Sequence, residues 1–218
     1  MPPFTLPPFY PILDSGAGPW PRLGLTAAVE ALLAGGAGIL QLRHKGHWSR
    51  SLFEEARRAA ARCREAGALL IIDDRADIAA LLGAGVHVGQ DDLSPADARQ
   101  VAGEHAIVGF STHNPEQLRA SAPEPVDYLA LGPVYPTRSK QNPDPVVGTE
   151  MVRACRAAIS KPLVAIGGIT RSNAPQVWAA GADSVAVIGD LMPDPCTSAS
   201  LRRRIEEWLQ FPKMQMSG

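Results

Sequence analysis

Two acidic doublets stand at the ends of two apolar runs. Leu69-Leu70-Ile71-Ile72 leads into Asp73-Asp74-Arg75, and Val86-His87-Val88-Gly89-Gln90 leads into Asp91-Asp92. Carboxylates at the shared end of two buried strands suit one polyvalent cation, or a polyphosphate held through one. Mg2+ commonly takes one or two carboxylates and completes its shell with substrate phosphate oxygens and water. Asp74 and Asp92 are the candidate ligands. The bland alternative is helix capping, and Asp92 sits just ahead of Ser94-Pro95. A group of opposite sign precedes them. Gln41, Arg43 and Lys45 alternate along a strand, so all three point the same way. An arginine and a lysine together suit a diphosphate, although a strand-end pair of cations can also be merely solvated. The stretch Thr137-Arg138-Ser139-Lys140 lies in a long loop from Gly132 and places two hydroxyls and two cations side by side. Long loops in compact domains are usually functional, and this one has a phosphate-grasping composition. Gly167-Gly168 and Ile188-Gly189 each end an apolar run, where bare backbone N–H groups can meet a phosphate. Ser111 ends another run. Asn114 before Pro115 is the better helix cap there, which releases Ser111 for a substrate heteroatom. His113 as a general base has no aspartate near it in sequence. His87, inside its run, reads as a hydrogen-bonded interior residue rather than a catalyst. The site is expected to hold two anionic groups, a diphosphate with metal and a separate phosphate.

These groups need a frame that brings many strand ends together. Apolar runs alternate with helical patterns along the chain. Strands are expected at 9–13, 38–42, 69–72, 86–88, 106–110, 126–131, 162–166 and 184–188. Helices are expected at 25–34, 51–66, 76–82, 94–101, from Asn114-Pro115 onward, and at 149–159, 172–180 and 200–209. Eight βα units in succession predict an α/β fold, a single-domain (β/α)8 TIM barrel. The domain takes in residues 1–218, with a core of about 9–210 and loose termini at 1–8 and 211–218. An open doubly wound sheet is the alternative, but no GxGxxG follows the first strand. Pro125-Val126-Asp127-Tyr128 and Ala182-Asp183-Ser184-Val185 share a strand-entry aspartate, read here as architecture. In a barrel of this kind the site lies at the C-terminal ends of the strands, where every candidate above falls.

Composition removes several classes. The 218 residues carry a formal net charge of -1, which gives no reason to expect nucleic acid or an anionic membrane as partner. Cys63, Cys155 and Cys196 are far apart with no CxxC spacing, so neither a disulfide framework nor a zinc site is expected. The proline-rich start lacks the basic and apolar segments of a signal peptide, and no run is long enough to span a bilayer. A cytoplasmic protein is expected, with a homo-oligomer compatible with all of this.

Six motifs in order carry a resemblance. They are Gln41-Leu42-Arg43-His44-Lys45, Ile72-Asp73-Asp74-Arg75, His87-Val88-Gly89-Gln90-Asp91-Asp92, Gly109-Phe110-Ser111-Thr112-His113, Gly132 to Lys140, and Ile166-Gly167-Gly168-Ile169. Over roughly Tyr10 to Leu191 the chain resembles the thiamine-phosphate synthase and thiazole-tautomerase family. The resemblance implies a Mg2+-dependent transferase that joins 4-amino-5-hydroxymethyl-2-methylpyrimidine diphosphate to a thiazole phosphate or its carboxylate. These small molecules would be its partners. It implies that Gln41, Arg43, Lys45, Asp73, Ser111 and Lys140 hold the pyrimidine diphosphate, with Lys140, Ser111 and Arg43 closest to catalysis. Asp74 and Asp92 would bind Mg2+. Thr137, Ser139, Gly168, Ile188 and Gly189 would hold the thiazole phosphate. The chain departs from the family's usual residues at Asp73 (usually Asn), His44 (usually acidic) and Gly189 (usually Ser), and its turn at 83–86 looks one residue short. An extra charge at Asp73 is expected to weaken diphosphate binding unless a cation such as Arg43 or Arg75 faces it; otherwise Asp73→Asn would leave activity unchanged or higher. Alternatives are a thiazole tautomerase, for which Pro133 stands where a histidine would be wanted, a non-catalytic barrel binding thiamine precursors, and a phosphosugar barrel using Lys45 or Lys140 as a Schiff base.

Overall fold

Strands of four to six residues, each buried on both faces, can satisfy their backbone only beside one another. Helices must then cover the outside. In the computed structural model, which describes residues 4–137 and 144–215, they do so by closing on themselves. Parallel strands β1 (Phe9–Asp14), β2 (Ile39–Arg43), β3 (Leu69–Asp73), β4 (Gly85–Val88), β5 (Val108–Thr112), β6 (Tyr128–Leu131), β7 (Leu163–Ile166) and β8 (Ser184–Val187) follow one another around a closed barrel. Helices α1 (Trp20–Leu23), α2 (Leu25–Ala34), α3 (Arg50–Glu65), α4 (Ala76–Leu82), α5 (Pro95–Ala102), α6 (Pro115–Ser121), α7 (Gly148–Ala158), α8 (Ala174–Ala179) and α9 (Ser198–Gln215) form the outer ring, with a 3-10 turn at Gly189–Leu191. The expected TIM barrel is the observed one.

Alternation sorts the strand residues into two cores. One phase points outward to the helices and contains Phe9, Leu13, Leu40, Leu42, Leu70, Ile72, Val86 and Val88. The other fills the barrel interior with Tyr10, Ile12, Ile39, Ile71, Tyr128, Ala130, Val164 and Ala186. Following the interior phase to the C-terminal ends gives Asp14, Gln41 and Arg43, Asp73, His87 and Ser111. Register then fixes which of these are neighbours: Asp14 lies opposite Arg43, and Asp73 opposite His87.

Several boundaries differ from the sequence expectation. β5 and β6 begin two residues later than expected, at Val108 and Tyr128. A side chain replaces the ladder there: Asp127 accepts from the Val108 N–H at 2.7 Å and from Arg99 at 2.7 Å. Asp183 does the same for Leu163 N–H at 2.8 Å and Arg156 at 2.7 Å. Both strand-entry aspartates are therefore architectural. The last helix runs Ser198–Gln215, past the expected core limit of about 210, so residues 211–215 are helical rather than loose. Leu201, Ile205 and Trp208 make its buried stripe, and Trp208 stacks on Phe9 at 4.8 Å. The short turn after α4 is closed by Gly83 in the left-handed conformation (φ 62°). No helix among the described residues is long and apolar enough to cross a membrane.

Candidate active site at the barrel mouth

A cavity of about 960 Å³ opens at the C-terminal ends of the strands. That volume is at the upper end for a small-molecule site. Gln41, Arg43, Lys45, Asp73, Asp74, Asp92 and Ser111 line it, and so do Thr137, Gly168, Ile188 and Gly189. The two groups read from sequence thus share one cavity. Arg138, Ser139 and Lys140 lie outside the described residues. Gly168 has φ +63°, and a Cβ there would stand 2.5 Å from the Pro136 carbonyl oxygen. Only glycine allows the loop after β6 to lie against the β7 end.

Charge at the β1–β3 end is tightly paired. Arg43 donates to Asp14, which is 5% exposed and also accepts from Gly16 N–H at 2.7 Å. The Arg43 Nε stands 3.5 Å from Asp73, and Lys45 Nζ stands 3.0 Å from it. Lys45 also pairs with Asp74. The residue that fitted least well in the sequence therefore has two cations. Arg75, the other candidate partner, is taken by Asp77 at 2.5 Å. Burial still governs Asp73. At 7% exposure its carboxyl is held above the usual aspartate range, because desolvation outweighs Lys45 and Arg43 and the nearby Asp92 adds to it. For Lys45, burial acts downward, but Asp73 and Asp74 outweigh it and raise its pKa.

The sign of the Asp73 shift gives a test. A carboxyl with a raised native pKa binds its proton more tightly folded than unfolded, so its ionisation destabilises the fold as pH climbs above 3.8. Asp73→Asn removes that term. The variant is expected to melt higher than wild type at pH 7, with the difference shrinking as pH falls below the aspartate range. Thermal melts across pH check this, and a variant that melts lower at pH 7 would show that the Arg43 and Lys45 pairs dominate instead.

Neither doublet caps a helix. Arg75 occupies the cap of α4 without a side-chain bond, and Ser94 caps α5 by accepting from Asp97 N–H at 3.2 Å. Asp74 adopts φ +62°, a left-handed conformation that aspartate tolerates better than most residues. Asp92 accepts from Gly89 N–H at 2.7 Å. Among the described residues no group of three or more His, Cys, Asp or Glu side chains is placed to hold a metal by itself. The donor set nonetheless fits a hard cation completed by substrate oxygens. It is all carboxylate, and Asp74 and Asp92 line the same cavity.

The floor of the cavity holds a feature that sequence reading missed. Gln41 Nε2 donates to Tyr10 Oη at 3.2 Å, Tyr10 Oη lies 3.0 Å from Tyr128 Oη, Tyr128 Oη 3.1 Å from His87 Nδ1, and His87 Nε2 2.8 Å from Ser111 Oγ. His87 is thus the hydrogen-bonded interior residue expected. Gly109 makes room for this chain: a Cβ would sit 2.1 Å from Tyr128 Cζ and 2.5 Å from His87 Nδ1. Asn114 caps α6 by accepting from Gln117 N–H at 2.8 Å, which leaves Ser111 to the cavity as expected. His44 faces away from the Gln41/Arg43/Lys45 set, bonded to Ser15 Oγ at 2.7 Å and packed between Trp20 and Trp48. His113 does meet an aspartate, Asp144, at 3.4 Å, supplied from the far side of the long loop. Tyr10, Tyr128 and Asp14 had one faint signal, their place in the interior phase of their strands.

The comparisons with known proteins agree with this geometry. A family model described as thiamine monophosphate synthase matches residues 9–191. The chain belongs to the thiamine monophosphate synthase family. A thiamine-phosphate synthase of Koribacter versatilis is 51% identical over 209 residues, covering 94% of this chain and 96% of that one. The Laribacter hongkongensis thiamine-phosphate synthase is 42% identical over 177 residues, covering 81% and 82%. Among solved structures, a thiamine phosphate pyrophosphorylase from Pyrococcus furiosus superposes with a TM-score of 0.81 at 31% identity, covering 95% and 96% of the two chains. The thiamine monophosphate synthase likeness thus extends across the whole barrel.

Proposed function

We propose that this chain catalyses the transferase reaction of its family: 4-amino-5-hydroxymethyl-2-methylpyrimidine diphosphate and a thiazole phosphate give thiamine phosphate and pyrophosphate. The observation that carries the reading is the single cavity lined by both the Gln41/Arg43/Lys45/Asp73/Asp74/Asp92/Ser111 set and the Thr137/Gly168/Ile188/Gly189 set. One cavity with an anion-binding group at each side suits two phosphorylated substrates that must meet.

The bond from the pyrimidine methylene carbon to the diphosphate oxygen breaks, and its electron pair leaves with pyrophosphate. The aminopyrimidine spreads the resulting positive charge, and the thiazole nitrogen's lone pair closes the new C–N bond. Such a reaction asks for charge neutralisation and positioning rather than a strong base. Arg43 and Lys45 neutralise the departing diphosphate, joined by Lys140. Gln41 and Ser111 orient the pyrimidine. Thr137, Ser139 and the backbone at Gly168, Ile188 and Gly189 grip the thiazole phosphate. Asp74 and Asp92 would hold Mg2+, which when bound offsets diphosphate charge and improves the leaving group.

Purified protein with both substrates and Mg2+ should form thiamine phosphate, and chelation should stop it. No product at saturating substrates overturns the reading. Gly189 offers a finer test. Its position has open space around a Cβ and no positive φ, so Gly189→Ser fits without strain. The added hydroxyl is expected to lower the KM for the thiazole phosphate about fivefold, the worth of one modest hydrogen bond, with the KM for the pyrimidine diphosphate unchanged. Steady-state kinetics with each substrate varied in turn check this.

A further inference from the structure

We propose that Tyr10, Tyr128 and His87 are positioning residues that form a one-way hydrogen-bond chain, fixing Gln41 as an acceptor and Ser111 as a donor toward the cavity. The argument is one of proton accounting. Gln41 is 3% exposed, and its amide Nε2 points to Tyr10. Its carbonyl oxygen is therefore the amide atom left for the cavity. Tyr10 Oη accepts that N–H and has one proton of its own. Its other partner among the described residues is Tyr128 Oη, 3.0 Å away. A buried hydroxyl proton without an acceptor is costly, so Tyr10 donates to Tyr128. Tyr128 must then send its own proton onward to His87 Nδ1, 3.1 Å away. A ring nitrogen that accepts carries no proton, so the imidazole proton sits on Nε2 and points to Ser111 Oγ at 2.8 Å. With that lone pair of Ser111 engaged, its hydroxyl proton turns to the cavity.

Two further observations support the chain. Both phenols are fully buried, and burial holds the pKa of each above the ordinary tyrosine value, so each keeps the proton it must pass on. The two rings are also fixed by packing: Tyr10 meets Tyr128 edge-on at 6.0 Å, and His87 stacks on Tyr128 at 5.6 Å. The consequence is a ligand code. The site presents an acceptor on β2 and a donor on β5, bridged through the barrel floor, which matches an amino-substituted heteroaromatic ring that offers an N–H donor on one side and a ring nitrogen on another. Naming that ring as the aminopyrimidine rests on the function proposed above. The polarity itself does not.

Two measurements test it. Long-range 1H–15N correlation on the substrate-free protein should show His87 as the Nε2–H form, with Nδ1 unprotonated. Finding the proton on Nδ1 overturns the proposal, whatever the protein catalyses. Tyr128→Phe keeps the ring and removes the hydroxyl. It should release the tautomer preference and lower kcat/KM for the pyrimidine diphosphate about tenfold, while the KM for the thiazole phosphate stays within about twofold. In a Ser111→Ala background the same change should cost clearly less than in the wild-type background, since the Ser111 end of the chain is then already lost. Losses that multiply independently in the double variant would mean that Tyr128 serves only packing, and would overturn the positioning role.

Discussion

Replacing Arg43 by methionine is expected to damage both the reaction and the fold. The guanidinium joins two buried carboxylates, Asp14 and Asp73, at the edge of the cavity. Methionine keeps most of the stem but leaves Asp14 without its cation and Asp73 with Lys45 alone. Removing one partner of a buried pair costs about 3 kcal/mol or more, because the remaining ion stays desolvated. In the proposed reaction the side chain also supplies the forked donor to the diphosphate, and removing one such preorganised donor costs about 10²–10³ in rate. The urea midpoint and kcat/KM for the pyrimidine diphosphate should therefore fall together. Arg43→Lys separates the two effects. It keeps a positive charge near Asp14 and Asp73 and should recover most of the stability, but it lacks the fork and should recover little of the rate. A methionine variant with wild-type kinetics would remove Arg43 from the site.

Asp92→Ala is expected to have the next largest effect, a loss of activity of at least about a hundredfold at ordinary Mg2+. Its carboxylate is one of two proposed to hold the ion, and the other, Asp74, already shares its charge with Lys45. The ion would then lean on Asp92. Alanine also removes the acceptor for Gly89 N–H, so a folding defect in the loop must be told apart from a metal defect. Asp92→Asn does this. An amide oxygen still accepts from Gly89 but brings no charge to the ion. It should move the Mg2+ concentration for half-maximal activity at least about tenfold, the scale on which lost ligand support weakens metal sites. An asparagine variant with an unchanged Mg2+ titration would show that the ion is held elsewhere.

The thiazole side of the cavity behaves differently. The phosphate grip proposed there combines backbone at Gly168 and the Ile188-Gly189 corner with the hydroxyls of Thr137 and Ser139, so single side-chain changes should be mild and Gly189→Ser favourable. The contrast follows from chemistry. Backbone N–H groups hold a phosphate without adding a charge that must be balanced, whereas the diphosphate end concentrates Arg43 and Lys45 against Asp14, Asp73 and Asp74.

Asp73 illustrates how a residue changes meaning when the fold is known. In the sequence it is a carboxylate beside a diphosphate site, an apparent excess of negative charge. In the barrel it lies inward, between Arg43 and Lys45, and opposite His87 on the next strand. Its tension is with burial rather than with the substrate. His113 changes in the same direction: it lacks an aspartate nearby in sequence, and Asp144 meets it only in the folded barrel.

The sequence by itself determined the barrel, since eight apolar runs alternating with helical patterns leave few other ways to bury both faces of every strand. It also determined that Gln41, Arg43 and Lys45 share a phase and that the acidic doublets sit at strand ends, because alternation with period two is a local property. Tertiary structure alone decided what meets across the barrel. The chain from Gln41 through Tyr10, Tyr128 and His87 to Ser111 joins residues from β1, β2, β4, β5 and β6, as far as 118 positions apart. Periodicity says which face a side chain takes. Only closure and register, with Gly109 leaving room beside Tyr128, say which side chains on that face come within hydrogen-bond reach.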